Sequence, residues 1–522
     1  MYKKVLPIVL AATVLTALLA QPFTTVHAAE PKTECWAVII GISDYEHVEA
    51  KDRPYGADGA RELFQALSPI WGEDHLKLLL NSQATKANIL AAIDWMADKD
   101  DTDDTALLFF SGHGTDDGYL APYDAYFVAT LISRNELDSR LDRLDSKRIA
   151  IILETCYAGL FEPKLSDNGR VVLMSSRSDE LSWETGTLEH GVFTYYILEA
   201  VKNFDIADAN HDYELSAEEV FQYAAPKTIS LTTVYAMLSQ CTIQHPVISD
   251  RYSVELSLLT KFIFGVKPYL PPGTQILVLD DRTYTSTPPQ LIWAPGSTHN
   301  LIVPSVVQKR SDTRYIFTSW SDGNTSVSRT ISHGGAYTAN YNTEYQLTIT
   351  STYGESEGAG WYQEGRTANI SAVSLIEEEG IKHIFTGWSG DYKGDTPTAS
   401  VIMSSPKMVT ANWRNEYLLT ITSPYGEPEG EGWYKENEAV TISVVPIKGI
   451  IIRHIFNGWS GDFSGDIATE TLTINSPKAI TANWRTDYIQ LYILIAGVVI
   501  LVVVIIAIVR KRRKSHVDSP LI

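Results

Sequence analysis

The chain has 522 residues, too many for one hydrophobic core, so about three or four domains are expected. Its 63 acidic residues outnumber its 42 basic residues, and the net charge of −21 argues against nucleic acid as a partner. With only three cysteines, the chain is not a disulfide scaffold.

The N-terminal residues 1–28 have the pattern of a signal peptide. Lys3 and Lys4 precede an apolar run over residues 5–20, and small residues around Ala28 suit cleavage. The alternative is an uncleaved membrane anchor. Cleavage after Ala28 would leave a mature chain that begins outside the cytoplasm.

The C-terminal region predicts one transmembrane helix. Residues 489–509 contain no charged side chain and are numerous enough to cross a bilayer. The basic sequence RKRRK follows at once and opens a tail over residues 510–522. Because positive charge stays on the cytoplasmic side, we expect a single-pass protein of the cell membrane whose N-terminal body is extracytoplasmic.

Residues 33–252 alternate short apolar runs with segments of helical periodicity. The runs at residues 36–40, 106–110, 149–153 and 171–174 are continuous, as in strands covered on both faces. Between them, apolar residues recur at three- and four-residue spacing, which is typical of amphipathic helices. The pattern predicts an α/β domain with a mostly parallel sheet and helices on both faces. His113 and Cys156 each follow such a run, at the strand ends where these sheets carry ligand sites.

The second half of the chain predicts all-β repeats. After a linker over residues 253–274 come three modules, residues 275–343, 344–415 and 416–487, marked by YIFTSWSDG, HIFTGWSGD and HIFNGWSGD. They resemble repeat modules of prokaryotic surface proteins, including internalin B-repeat-like ones. A repeated tryptophan such as Trp388 belongs either to the core of its module or to a carbohydrate-binding array. We expect a stalk that can also bind a cell-surface ligand.

The cysteines leave two arrangements open. Cys35 and Cys241 lie at the two ends of the α/β domain and would bracket it if they formed a disulfide. The alternative is a pair of inert buried thiols. In either case Cys156 remains as a free thiol, and its position after a strand makes it the reactive candidate.

His113 and Cys156 together predict nucleophilic chemistry. A thiolate is the nucleophile of cysteine enzymes, and a nearby imidazole favours the thiolate and protonates the departing amine. The backbone amides of Gly114 and Cys156 are candidate donors to a developing oxyanion. The expected substrate is a protein or peptide, and this chemistry requires no cofactor.

Five sequence motifs carry a resemblance to a known family. They are WAVIIGISDYE, YGADGARELFQAL, DDTALLFFSGHG, IAIILETCYAG and VVLMSSRSDELSWE. Their order and spacing resemble the caspase-like cysteine peptidases, the clan of caspases, metacaspases, legumains and the catalytic subunit of the glycosylphosphatidylinositol transamidase. The resemblance covers residues 35–252 and implies a caspase-like fold, thiol protease activity and a His113/Cys156 dyad without an obligatory third member. The sequence ETCYAG departs from the metacaspase DSCHSG and lies nearer the legumain and transamidase versions, which leaves specificity open.

The resemblance also suggests a specificity pocket. In this clan the residue two before the nucleophile often lines the pocket, and here it is Glu154. Legumain-like members use an arginine before the first helix, for which Arg53 is the nearest match, and Ser175 and Ser176 would form a wall. Arg53 and Glu154 facing each other would suit an asparagine side chain, whereas a free Glu154 would prefer arginine or lysine. In the remaining alternative, both side chains pair with other groups.

The sequence DANHDYELSAEE has the spacing of a calcium-binding loop. Its loop positions 1, 3, 5, 7, 9 and 12 are held by Asp208, Asn210, Asp212, Glu214, Ser216 and Glu219. Tyr213 stands where glycine is expected. The alternative is a solvated turn in which Ser216 and Glu219 form a capping box. The acidic run over residues 98–104 is expected to be a solvated loop rather than a metal site.

Two classes of function follow from these patterns. The first is a membrane-anchored, extracytoplasmic cysteine endopeptidase of legumain-like or transamidase-like type. The second is a surface adhesion protein whose caspase-like domain is a non-catalytic scaffold. The presence of both His113 and Cys156 favours the first class.

Overall fold

The four apolar runs of the N-terminal region are neighbouring strands of one six-stranded sheet in the computed structural model, which describes residues 33–47, 53–238 and 240–514. The strands of this region are β1 (Cys35–Gly41), β2 (Leu76–Leu80), β3 (Thr105–Ser111), β4 (Tyr119–Leu120), β5 (Ile132–Ser133), β6 (Ile149–Glu154), β7 (Arg170–Met174), β8 (Glu184–Thr185), β9 (His190–Gly191), β10 (Glu214–Ser216), β11 (Val247–Asp250) and β12 (Ser257–Lys267). The sheet has the order β11-β7-β6-β3-β1-β2. All its pairs are parallel except the antiparallel pair formed by the edge strand β11.

Helices cover both faces of this sheet. They are α1 (Gly56–Trp71), α2 (Lys86–Ala97), α3 (Arg134–Leu141), α4 (Glu162–Leu165), α5 (Val192–Lys202), α6 (Phe204–Ala207) and α7 (Ala217–Met237). Alternate residues of each strand point to opposite faces. In β1, Ala37 and Ile39 therefore pack with α1, α5 and α7, while Val38 and Ile40 pack with α2 and α3. The predicted α/β architecture is confirmed.

The segment predicted as a linker, residues 253–274, contains the eleven-residue strand β12. This strand pairs antiparallel with β10 of the α/β domain and parallel with a strand of the first β module. Its apolar residues Leu258, Leu259 and Phe262 are buried. The linker prediction is wrong for this segment. β12 has a hydrogen-bonded strand on each side, so its apolar residues belong to a sheet and are buried.

The β modules consist of strands of 2 to 17 residues, of which β20 and β27 are the longest. They are β13 (Leu277–Leu279), β14 (Arg282–Tyr284), β15 (Leu291–Trp293), β16 (His299–Ile302), β17 (Val306–Arg310), β18 (Thr313–Trp320), β19 (Ser328–Ile331), β20 (Gly335–Ser351), β21 (Ser356–Glu357), β22 (Gly360–Gln363), β23 (Thr367–Ala372), β24 (Leu375–Glu378), β25 (Ile381–Gly390), β26 (Thr398–Ile402), β27 (Lys407–Thr422), β28 (Gly432–Lys435), β29 (Glu438–Ser443), β30 (Ile447–Lys448), β31 (Arg453–Gly461), β32 (Thr469–Ile474) and β33 (Lys478–Asp487). The chain forms two compact units, residues 1–305 with 317–341 and residues 306–316 with 342–522.

The repeated tryptophans belong to the cores of the modules. Trp320, Trp388 and Trp459 are each at most 4% exposed. Each indole N–H donates to a backbone carbonyl of its own module, at 2.8, 3.0 and 2.9 Å. Of the two alternatives, the core role therefore applies to these three side chains.

In the second unit, successive long strands pair in parallel. Leu347–Ser351 at the end of β20 pairs with Lys407–Ala411 at the start of β27. Leu419–Thr422 at the end of β27 pairs with Lys478–Thr481 at the start of β33. Each long strand of the repeats is thus shared between one module and the next.

The C-terminal helix α8 (Ile489–Lys514) follows β33. Its apolar part is long and hydrophobic enough to cross a membrane and is not buried by any described part of the chain. It includes the predicted span, residues 489–509, and the start of the predicted basic tail. The rest of that tail, residues 515–522, and the predicted signal peptide, residues 1–28, lie outside the described residues.

All three cysteines are free thiols. Cys35 is buried in β1, and burial raises its pKa far above the usual range. The Sγ of Cys241 lies 3.5 Å from the carbonyl oxygen of Thr232. The structure therefore has no disulfide between Cys35 and Cys241, and of these two thiols only Cys35 is buried as the alternative expected.

Candidate active site

The turns that carry His113 and Cys156 lie side by side. β3 and β6 are adjacent parallel strands with Ser111 opposite Glu154, and each of the two side chains comes two residues later. The Gly112 N–H donates to the Glu154 carbonyl at 3.2 Å. A Cβ atom on Gly114 would lie 2.5 Å from the carbonyl oxygen of Cys156. Only glycine permits so close an approach of the two turns.

The His113 turn is fixed by its backbone. The His113 N–H donates to the hydroxyl of Tyr45 at 2.7 Å, and its carbonyl accepts from the Ala121 N–H at 2.9 Å. The imidazole and the Tyr45 ring have centroids 5.0 Å apart. Burial raises the pKa of Tyr45, so this phenol is neutral at physiological pH. His113 is half-buried.

The Cys156 turn is sharp and partly strained. Tyr157 adopts the left-handed conformation with a φ of 58°, which is uncommon for an aromatic residue. Its N–H donates to the Glu180 carbonyl at 2.8 Å. The Sγ atom of Cys156 is half-buried and lies 3.8 Å from the carbonyl oxygen of Ser182. The turn therefore points the thiol toward the segment that leads into β8.

Ser175 and Ser176 lie behind this turn instead of forming a pocket wall. Both are fully buried. The Ser175 hydroxyl accepts from the Thr155 N–H at 3.1 Å, and the Ser176 hydroxyl accepts from the Ala158 N–H at 3.2 Å. The substrate-contact prediction for these serines is replaced by a positioning role, because both hydroxyls are used by the nucleophile turn itself.

The predicted oxyanion donors are Gly114 and Cys156. In the part of the chain that the structure describes, neither backbone N–H donates to a backbone or side-chain acceptor. Both residues are half-buried and belong to the two turns in contact. Two backbone donors beside a thiol are what a tetrahedral intermediate needs.

Arg53 pairs with an acid that the sequence analysis did not single out. Its guanidinium lies 2.8 Å from the carboxylate of Glu184, with both side chains at most 8% exposed. It also donates to the carbonyl of Gly112 and, at 3.4 Å, to that of Glu154. Burial lowers the pKa of Arg53, but the acidic groups around it, Glu184 foremost and Glu154 among the others, together outweigh this effect, and the pKa lies above its usual value. Arg53 thereby ties together the two strand ends that lead to His113 and Cys156.

Glu154 is fully buried beneath the same strand ends. Its carboxylate accepts from the hydroxyl of Ser182 and from the Thr194 N–H at 2.7 Å. A Cβ atom on Gly191 would lie 2.7 Å from this carboxylate, so glycine leaves the space that it fills. Burial raises the pKa of Glu154 despite these hydrogen bonds. The geometry matches the alternative in which Arg53 and Glu154 pair with other groups.

The predicted calcium loop connects α6 with α7. Ser216 is the N-cap of α7 and forms a capping box with Glu219, whose carboxylate also accepts from the Ala209 N–H at 2.8 Å. Tyr213 has a φ of 71°, so the left-handed bend expected of glycine is made by tyrosine. The capping box that the alternative interpretation predicts is therefore present. Its residues, Ser216 and Glu219, are also positions 9 and 12 of the predicted calcium loop.

The acidic run over residues 98–104 is only partly solvated. Asp104 is 2% exposed and accepts from the Trp36 indole N–H at 3.0 Å. Asp101, Asp103 and Asp104 have carboxylate oxygens within 4.8 Å of one another. The solvated-loop prediction is wrong for Asp104, because the indole and backbone N–H groups bury and satisfy its carboxylate.

Comparisons with known proteins address the same regions. Residues 34–238 match the family model of the caspase domain. The N-terminal region is therefore a caspase-like α/β domain. Residues 345–416 and 417–487 each match the divergent InlB B-repeat domain. A comparison with curated proteins found no match to the chain.

Solved structures match part of the chain. A Geobacter sulfurreducens protein is 14% identical, with a TM-score of 0.32, over 43% of this chain and 97% of that one. Caspase-1 from Spodoptera frugiperda is 15% identical, with a TM-score of 0.32, over 43% of this chain and 90% of the caspase. The matched caspase domain contains His113, Cys156 and the buried pair Arg53 and Glu184.

Proposed function

We propose that the chain is a membrane-anchored, extracytoplasmic cysteine endopeptidase in which Cys156 is the nucleophile and His113 the general acid and base. The contact between the two turns, with Gly114 against the Cys156 carbonyl, is the observation that carries this proposal. It brings an imidazole, a thiol and two backbone donors to one edge of the sheet. The apolar helix α8 and the basic residues that end it support a membrane anchor with a cytoplasmic tail.

The reaction proceeds through an acyl-enzyme. The Cys156 thiolate attacks the scissile carbonyl, and the N–H groups of Gly114 and Cys156 stabilise the oxyanion. Imidazolium His113 gives its proton to the leaving amine as the C–N bond breaks, which leaves a thioester. Neutral His113 then takes a proton from water as that water attacks the thioester, and the free acid and the thiol are restored. An amine in place of water would give transpeptidation.

The charges around the strand ends suggest which residue precedes the scissile bond. Arg53 is neutralised by Glu184 at 2.8 Å, whereas Glu154 has hydrogen bonds but no ion-pair partner among the described residues. The three groups carry one excess negative charge when both acids are ionised. A lysine or arginine side chain of the substrate would offset it, and asparagine would not. We therefore propose a preference for basic residues before the cleaved bond.

A substrate-library profile tests this specificity. The wild type is expected to cleave after arginine or lysine. Glu154→Gln should lower kcat/KM for such substrates by about 10- to 100-fold, because it removes a nearby buried negative charge that acts on the substrate without touching it. Because the pKa of Glu154 is raised, the preference for basic residues should weaken as the pH falls through that pKa. Glu162→Gln, an exposed acid after the nucleophile turn, is the control and should leave the profile unchanged. A wild type that prefers asparagine would contradict the charge argument.

A thiol-reactive peptide probe separates an enzyme from a non-catalytic scaffold. We expect a probe with a basic residue next to the reactive group to label the reduced wild type at Cys156, as read by peptide mass spectrometry. Labelling should be lost in His113→Ala, because the imidazole favours the thiolate. Equal labelling of Cys156 and Cys241, with no effect of the His113 change, would favour the scaffold.

A further inference from the structure

A carboxylate from outside the calcium-like loop meets that loop. The Nδ2 of Asn210 donates to Asp212 Oδ2 and to Glu255 Oε2, at 3.1 Å each. Glu255 comes 45 residues after Asn210 and lies two residues before β12. No ion pair among the described residues includes Asp208, Asp212, Glu219 or Glu255. Asn210 thus links the carboxylates of Asp212 and Glu255, and no cationic side chain among the described residues pairs with them.

One oxygen of this group is buried and lacks a partner. Asp208 is 5% exposed, and its Oδ2 accepts from the Tyr213 N–H at 3.2 Å. Its Oδ1 has no hydrogen-bond partner in the described part of the chain. Burying an ionised carboxylate oxygen costs folding free energy unless a hydrogen-bond donor or a cation binds it. A cation at Oδ1 would remove that cost.

We propose that Asp208, Asp212, Glu219 and Glu255 bind one calcium ion, with Glu255 as a ligand supplied from outside the loop. All four donors are hard oxygens, which calcium prefers. The Glu219 carboxylate accepts from the N–H groups of Ala209 and Asn210 and from the N–H and hydroxyl of Ser216, so it must release at least one of these hydrogen bonds to bind the ion.

The neighbouring contacts fit this assignment. The Glu214 carboxylate accepts from Thr260 Oγ1 at 2.7 Å and from the Gly334 N–H at 3.2 Å, which leaves its backbone carbonyl as the group for loop position 7. Burial raises the pKa of Glu255, and the carboxylates of Glu219, Asp212 and Asp208 raise it further. Bound calcium would relieve this mutual repulsion.

The ion would join the caspase domain to the strand that leads into the β modules. The Lys261 N–H of β12 already donates to the Tyr213 carbonyl of the loop at 2.8 Å. Glu255 lies on the segment that enters the same strand. Calcium therefore stiffens this junction, and the site is independent of the peptidase chemistry.

Calcium titration of the full chain in detergent tests the inference. We expect one equivalent of calcium to bind by calorimetry and to raise the Tm, because the ion binds the native state only. Glu255→Gln and Asp208→Asn should each weaken binding at least tenfold. Asp101→Asn, in the other acidic cluster, is the matched control and should keep the wild-type affinity.

Three results would overturn the site. The first is a wild type whose Tm does not respond to calcium up to about 10 mM, which is above the Kd values of extracellular calcium modules. The second is a Glu255→Gln variant that binds calcium as tightly as the wild type. The third is an Asp101→Asn control that loses as much calcium affinity as Glu255→Gln. Should Asp208→Asn fail to fold, Glu255→Gln decides alone, because the Glu255 side chain is not buried in the core.

Discussion

Cys156→Ala is expected to reduce peptide cleavage by at least about a thousandfold, since it removes the atom that forms the acyl-enzyme. The change deletes one sulfur from a half-buried position at the end of β6. The Tm should therefore stay close to that of the wild type. Cleavage of a fluorogenic peptide and thermal unfolding, measured on the same preparation, check both parts.

Cys241→Ala is the matched control for the nucleophile. It removes a free thiol whose Sγ contacts the Thr232 carbonyl and neither His113 nor Cys156. It should keep wild-type cleavage, whereas His113→Ala should lose it as Cys156→Ala does. Cleavage near the wild-type rate in Cys156→Ala would exclude the proposed mechanism.

Arg53→Met is expected to destabilise the caspase domain by about 3–5 kcal/mol, the cost of leaving one partner of a buried ion pair alone. The change leaves the buried Glu184 carboxylate without its partner, because in the wild type the Arg53 guanidinium lies 2.8 Å from it. It also removes the donor that links the Gly112 and Glu154 carbonyls. Cleavage should fall as well, because the ends of β3 and β6 are no longer held together by hydrogen bonds from Arg53. Urea unfolding followed through the first transition measures the loss.

Two further variants isolate the charge effect. Adding Glu184→Gln to Arg53→Met should recover part of the stability, because it removes the stranded charge. Arg143→Met breaks an exposed pair with Asp94 and should cost at most about 1 kcal/mol. Equal losses in Arg53→Met and Arg143→Met would show that the buried pair has no special role. Substrate profiles of Arg53→Met also test the sequence-based expectation that loss of this arginine favours cleavage after arginine or lysine.

Much of the fold followed from periodicity. Strands such as β3 and β6 are continuous apolar runs because both their faces are covered, and this pattern is visible without a structure. The run in β12 was equally apolar but was taken as part of a linker, because its partners β10 and β20 are distant in sequence. Pairing across such distances leaves no local signal.

The candidate site was predictable only in part. Motif order singled out His113 and Cys156, since a glycine-flanked histidine and a cysteine shortly after an apolar run are both local features. The Arg53–Glu184 pair joins residues 131 positions apart, and the two acids Glu154 and Glu184 look alike in sequence. Ser175 and Ser176 were expected in a pocket wall for a related reason. Whether a hydroxyl lines a pocket or binds the backbone behind the Cys156 turn depends on tertiary packing, which the sequence does not show.

The staggered pairing of the long strands has a mechanical consequence. The end of β20 lies parallel to the start of β27, and the end of β27 lies parallel to the start of β33. A pull on the two ends of this segment drives each pair in opposite directions along the strands. All hydrogen bonds of a pair are then loaded together in shear instead of opening one at a time. Under flow or traction, the repeats would pass tension between modules through backbone ladders while the cores around Trp388 and Trp459 stay packed.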